Sequence, residues 1–217
     1  MTIISLIGID GSGKSNHSFL LLKKLIAKGE KGKYAHIRMG VFRFFSLPLL
    51  KLWKLAGLPT ESNRPSFKRH TKLSSFWAWC FFIDYQLFYS ALCFPQYPKN
   101  ESDFVFVFDR YIYDALVDLS IARGNSFSMK NTSTRTFLKI LPKPSITLLL
   151  DVEPETAIIR KGDTEIHDLD YLTRRRIIYL ELAKQFGFHI VNANKSFNEV
   201  HSDILEILKI EGLKIFE

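Results

Sequence analysis

Eight residues near the start of the chain constrain it most: Gly8-Ile9-Asp10-Gly11-Ser12-Gly13-Lys14-Ser15. They fit the pattern G-x-x-x-x-G-K-[ST] and join two segments of different period. Residues 2–9 are apolar and β-branched without polar alternation, as in a strand buried on both faces. Residues 14–28 carry helical spacing, with Phe19, Leu22, Leu25 and Ile26 able to share a face and Gly29 as a stop. A strand, glycine loop and helix in this order turns backbone N–H groups around an anion, and the helix N-terminus adds partial positive charge. The pattern predicts that Gly8, Asp10, Gly11, Ser12, Gly13, Lys14, Ser15 and Asn16 hold the phosphates of a nucleotide. Lys14 is expected on the β- and γ-phosphates and Ser15 on Mg²⁺.

The rest of the chain repeats the alternation. Residues 34–39 read as a second short strand, and 43–58 are apolar and basic. A loop over 57–65 precedes a long aromatic helix, 72–94, ended by Pro95 and Pro98. The run 104–108 is a third strand closing on Asp109-Arg110. Helices are expected over 111–123 and 132–141, and a fourth strand over 145–150 that ends in Asp151. A short helix, 154–161, opens on proline. The polar, acidic stretch 162–168 leads into a helix over 169–186, a fifth strand over 188–191 and a last helix over 198–209. Strands alternating with helices predict an α/β fold with a parallel sheet and right-handed crossovers. The expected architecture is the three-layer P-loop NTPase fold: a five-stranded parallel sheet flanked by helices, with a short lid at about 160–169. No repeat or linker interrupts it, so residues 1–217 are expected to form one domain. Ligands then collect at the carboxyl ends of the strands.

Composition narrows the class. With 47% hydrophobic and 24% charged residues the chain is an ordinary globular one, neither disordered nor fibrous. The net charge of +8 suits polyanionic partners in general. Cys80 and Cys93 lie in one helical stretch, where thirteen residues at about 1.5 Å each put them about 20 Å apart, too far for a bridge. Two free thiols predict a reducing compartment, the cytoplasm. The apolar start lacks the basic segment of a signal peptide. Residues 73–94 are apolar enough to suggest a membrane span, but Asp84 and Gln86 sit at the centre, where a mid-bilayer Asp costs about 2.5–3.5 kcal/mol. A buried or dimer-forming helix fits better, and a homodimer through 72–94 is expected; membrane and nucleic-acid partners are not. The apolar and basic stretch around Phe42, Phe44 and Trp53 is read as core or dimer face in preference to a membrane-surface helix. The histidines show no metal spacing with cysteine.

A phosphate loop leaves kinase, GTPase and motor open. A GTPase needs N-K-x-D late in the chain; the nearest match, Asn194-Lys195-Ser196-Phe197, lacks the acid. After the third strand the chain places an acid and then a base. Asp109 can orient the metal shell and Arg110 can hold a second anion across the cleft, the layout of phosphoryl transfer between two bound phosphates. Arg38 and Arg43 follow the second strand, at the edge where an acceptor would sit. Arg64, Lys68, Arg69 and His70 form a basic cluster open to an acceptor lid, a nucleic-acid patch or plain surface. Of Arg174, Arg175 and Arg176, at most one or two can face a site, since three successive residues span about 200° of helix.

At this point the chain resembles the thymidylate kinases, a group of P-loop nucleoside monophosphate kinases. The resemblance rests on the phosphate loop with Asp10 at its third position, on Asp109-Arg110-Tyr111, on Leu150-Asp151-Val152-Glu153-Pro154-Glu155 with Ala157 and Arg160, and on Tyr179-Leu180-Glu181-Leu182-Ala183 followed by Asn192-Ala193. It implies ATP with Mg²⁺ and phosphorylation of dTMP to dTDP, a step of nucleotide biosynthesis. It implies Lys14, Arg110, Arg160 and Lys161 as catalytic residues, the last two at the start of the lid. Asp10, Arg43, Phe82, Tyr85, Gln86, Arg110 and Tyr111 would meet the acceptor, and Ser15 and Asp109 the metal. The family's thymine-reading Arg on the long helix is absent from Phe81-Phe82-Ile83-Asp84-Tyr85-Gln86. Asp114 stands where the family has Ser, and the lid is acidic. A kinase for another nucleotide or nucleoside, or a nucleotide-binding regulator or nucleic-acid partner, therefore stays open.

Overall fold

A computed structural model describes residues 2–36, 104–123, 142–162 and 168–212, together with 135, 138 and 139. The order is β1 (Thr2–Ile7), α1 (Lys14–Ala27), β2 (Lys31–His36), β3 (Phe104–Asp109), α2 (Ile112–Arg123), β4 (Ile146–Asp151), α3 (Pro154–Lys161), α4 (Leu169–Phe186), β5 (His189–Asn192) and α5 (Phe197–Ile210). The five strands form one sheet in the order β2-β3-β1-β4-β5, and every neighbouring pair is parallel. β1, β3 and β4 are the central strands, and their residues are almost all buried, as continuous Val, Ile, Leu and Phe runs require. This is the α/β sheet flanked by helices that the alternation predicts.

By its contacts the chain divides into two compact units. Met1–Ile37, Asn100–Val117 and Lys143–Glu217 make the first, which holds the whole sheet. Of the second, Arg38–Lys99 with Asp118–Pro142, only the end of α2 and a few positions are described.

Two local expectations differ from the structure. The second strand runs over Lys31–His36 and not 34–39, because parallel pairing with β3 starts at Lys31 opposite Phe104. α1 buries Lys14, His17, Ser18, Leu21, Leu22 and Leu25, while Phe19 and Ile26 are exposed. Spacing alone allowed either face; the phosphate loop sets the phase of the helix by burying its first residue, Lys14. The expected long helix 72–94 and the two cysteines lie outside the described residues, as does most of the helix expected over 132–141.

Candidate functional site

The carboxyl ends of β1, β3 and β4 meet at one edge of the sheet, and the phosphate loop leaves from the central strand, β1. Its glycines are required by space as well as by backbone angle. At Gly8 (φ +144°) a Cβ would stand 2.6 Å from the Leu150 carbonyl oxygen of β4. At Gly11 (φ +89°) a Cβ would stand 2.5 Å from the Ala157 carbonyl oxygen of α3. Both angles lie where L side chains are disfavoured, so β4 and α3 press directly on the loop backbone. Lys14 is buried, and its Nζ donates to the Ile9 carbonyl at 2.7 Å and to Ser12 Oγ at 3.3 Å. Burial, with Arg110 beside it, pushes Lys14 down to about 8. Ser15 and Asn16 open α1 with exposed side chains.

Asp109, the last residue of β3, faces this loop. Its Oδ2 accepts from Ser15 Oγ at 2.5 Å and from Tyr34 Oη at 3.0 Å, and lies 2.9 Å from His36 Nδ1. Burial works against the Asp109 charge, but the bonds from His36 and Ser15 hold its carboxyl below the usual range. Its Oδ1 is buried with no hydrogen-bond partner among the described residues. Tyr34 and His36 were not foreseen. They lie two apart on β2, so they share a face, and the register sets His36 opposite Asp109. The only signal in the sequence was that i, i+2 pair, and nothing local in it points to Asp109 on another strand.

Arg110 follows at once, with φ +72°. A non-glycine residue pays about 1–2 kcal/mol for left-handed backbone, and such strain concentrates at functional sites. Its backbone N–H donates to the Leu6 carbonyl at 3.1 Å, and its guanidinium pairs with the Asp10 carboxylate. Burial opposes the charge on Asp10, yet Arg110 and Lys14 hold its carboxyl well below the usual carboxylate range. Lys161, at the end of α3, adds to that pull.

The remaining expected residues divide. Arg160 donates to the carbonyls of Ala193 (2.6 Å), Asn194 (3.4 Å) and Lys195 (3.1 Å), which commits it to the turn between β5 and α5. Tyr111 is fully buried with its ring on Phe108, so its side chain packs the core and presents no surface to a ligand. Arg43, Phe82, Tyr85 and Gln86 lie outside the described residues, as do Arg38, Asp84 and most of the expected lid. Of the three consecutive arginines, Arg174 pairs with Asp170 at 2.5 Å on the surface. Arg176 forks onto Asp151 at 2.6 and 2.9 Å and reaches Glu153 at 2.5 Å, tying α4 to the end of β4. Arg175 is buried.

Comparison with known proteins places the whole chain in one family. A family model described as thymidylate kinase matches residues 88–204. A protein of Sulfolobus acidocaldarius described as a "Probable thymidylate kinase" is 31% identical over 214 residues, 96% of each chain. One of the same description from Methanothermobacter thermautotrophicus is 32% identical over 212 residues, 93% of this chain and 91% of its own. Another, from Pyrobaculum aerophilum, is 28% identical over 218 residues, 96% of this chain and 97% of its own.

Proposed function

Because the chain belongs to the thymidylate kinase family of nucleoside monophosphate kinases, we propose that it transfers the γ-phosphoryl group of ATP to dTMP, giving dTDP. One observation carries the reading. A phosphate loop that leaves β1 and carries a buried Lys14 at the start of α1 faces an acid and a base, Asp109 and Arg110, at the end of the adjacent strand β3. The acid meets the loop through Ser15 and the base meets it through Asp10. One side is built to hold donor phosphates and the other a second anion.

Ser15 Oγ and Asp109 would hold Mg²⁺. The contact between them and the buried, unpartnered Asp109 Oδ1 fit a cation with oxygen ligands. The ion, when bound, supplies neutralisation of charge on the phosphate oxygens. The chain's own part is positioning and electrostatics. Lys14 would turn from the Ile9 carbonyl to the phosphates, and the loop N–H groups would hold the β-phosphate. Arg110 would exchange Asp10 for the acceptor phosphate, which frees the Asp10 carboxylate for the acceptor sugar. Lys161 lies at the lid's start, where its charge falls on the same site. Asp109 orients Ser15 and the metal shell.

The same reading takes residues 1–217 as a single kinase domain, working in the cytoplasm as a homodimer through 72–94. A coupled ADP-release assay over a panel of nucleoside monophosphates tests it. dTMP is expected to give the highest kcat/KM, and ADP release no faster with any monophosphate than with water alone ends the reading.

A further inference from the structure

The Asp109 side chain is fully buried, and its two oxygens are served unequally. Oδ2 accepts from Ser15 Oγ at 2.5 Å and from Tyr34 Oη at 3.0 Å, and lies 2.9 Å from His36 Nδ1. An imidazole nitrogen facing a carboxylate oxygen carries its proton and donates, so Oδ2 meets three donors. A carboxylate oxygen offers about two lone-pair sites, so Oδ2 is saturated. Oδ1 of the same group has no hydrogen-bond partner among the described residues. A buried charged group left with one bare oxygen costs free energy, so this division of donors calls for an explanation.

The two donors from β2 are not needed to hold that strand. Backbone pairing already joins β2 to β3 along its whole length, from Lys31 opposite Phe104 to His36 opposite Asp109. Tyr34 and His36 share one face of β2, and both spend their polar atoms on the last residue of β3. In the sheet β3 stands between β2 and β1. The clamping side chains therefore come from the strand on one side of Asp109, and the phosphate loop with Ser15 comes from the strand on the other.

We propose that Tyr34 and His36 are positioning residues for the metal site: from β2 they clamp Asp109 Oδ2 and so keep Oδ1 as the oxygen that meets Mg²⁺ or a water bound to it. Ser15 serves the same ion, so its hydrogen bond to Oδ2 is the one given up when the ion binds. The other two bonds stay, and the carboxylate keeps its orientation through the exchange. Without them the carboxylate could turn and present either oxygen. Tyr34 and His36 touch no reacting atom and act through Asp109. Partners that orient a metal ligand in this way set affinity without touching the metal. The inference rests on reading Ser15 and Asp109 as the Mg²⁺ site.

The test uses the full chain with Tyr34→Phe, His36→Ala, His36→Asn and Asp109→Asn. Affinity for a non-hydrolysable ATP analogue is measured by calorimetry with Mg²⁺ and again with a chelator, with Tm alongside. The ratio of the two affinities is the gain due to the metal. Tyr34→Phe and His36→Ala are each expected to cut that gain about tenfold, the usual effect of losing a partner that orients a metal ligand, and to leave the metal-free affinity within about twofold. His36→Asn, whose amide can donate from near the Nδ1 position, is expected to recover most of the gain. Tyr34→Phe added to Asp109→Asn is expected to cost nothing further, because Tyr34 acts through Asp109. An unchanged gain at any Tm, equal losses with and without metal, or penalties that add in the double variant overturn the clamp. Should Tyr34→Phe fail to fold, His36→Ala, at a side chain that is 38% exposed, faces the same criteria. If Asp109→Asn itself leaves the gain unchanged, the metal-site reading fails, a result distinct from failure of the clamp.

Discussion

Lys14 and Arg110 are proposed to serve different phosphates and should fail differently. Lys14 Nζ donates to the Ile9 carbonyl of the loop, and on the proposed reading its contact with the donor phosphates grows as charge shifts in the transition state. Lys14→Ala is therefore expected to cut kcat steeply. Arg110 is paired with Asp10 and is proposed to take the acceptor phosphate. Arg110→Ala is expected to raise acceptor KM about ten- to a hundredfold, the worth of a charge-assisted contact of about 1.5–3 kcal/mol. Arg110→Lys should rescue little, because a point charge cannot reproduce the guanidinium fork. Steady-state kinetics with dTMP and ATP varied in turn checks both. A rise in ATP KM with acceptor KM unchanged would falsify the assignment of Arg110. Among the site residues, Lys14, Ser15, Asp109 and Arg110 were legible from the chain because each sits at a fixed offset in a local pattern. His36 and Tyr34 were not, because they reach Asp109 across more than seventy residues of sequence.

α1 carries Lys14 at its start and is fastened by a histidine face. His17 stacks on Phe197 of α5 at 4.3 Å between ring centroids and on His201 at 5.8 Å. Burial, with the charges of His201 and Arg160, pushes His17 down to about 4, and burial with Lys24 lowers His201 too. The folded state then holds His17 neutral while the unfolded chain takes up a proton below its ordinary value of 6.5. Stability should fall as pH drops from 6.5 towards about 4, by about 1.4 kcal/mol per pH unit at the steepest. Denaturant unfolding at pH 7 and pH 5 measures this, and His17→Gln should flatten the difference; parallel losses in both proteins would remove His17 as the cause. The loop itself is the second test. Gly11→Ala would drive a methyl group into the Ala157 carbonyl. It is expected to abolish ATP binding, which nucleotide titration followed by thermal shift detects. Retained ATP affinity would mean that the contact between the loop and α3 yields easily.

At the scale of the whole molecule, ligands that bind only the folded chain must stabilise it. ATP with Mg²⁺ at about a hundred times its Kd should add about 2.7 kcal/mol, or about 5–10 °C in Tm for a chain of this length. Lys14→Ala should lose most of that gain. The net charge of +8 sets the competing possibility, a nucleic-acid partner. Such a partner would show retention on polynucleotide that falls with salt by several log–log units, and the kinase reading expects no retention at physiological salt. No helix among the described residues is long and apolar enough to cross a membrane.

The chain alone determined the alternation of strands and helices, the phosphate loop and the placement of Asp109 and Arg110 after a strand. These depend on periodicity and on backbone needs that act within a few residues. It also carried the stop and start of the last helices: Gly187 closes α4 in the left-handed conformation, and Ser196 with Glu199 makes a capping box on α5. The strand order β2-β3-β1-β4-β5 was decided only in three dimensions, and with it the meeting of Ser15, Tyr34 and His36 at one carboxylate oxygen. The same holds for the rotation of α1, for the fork of Arg176 on Asp151 and for the buried contacts of Tyr179 with Asp114 and Arg175. Parallel strands pair only through long crossovers, and a slip of one residue turns every side chain to the other face. Which polar groups meet across such a sheet is therefore a property of packing and register, and no local pattern encodes it.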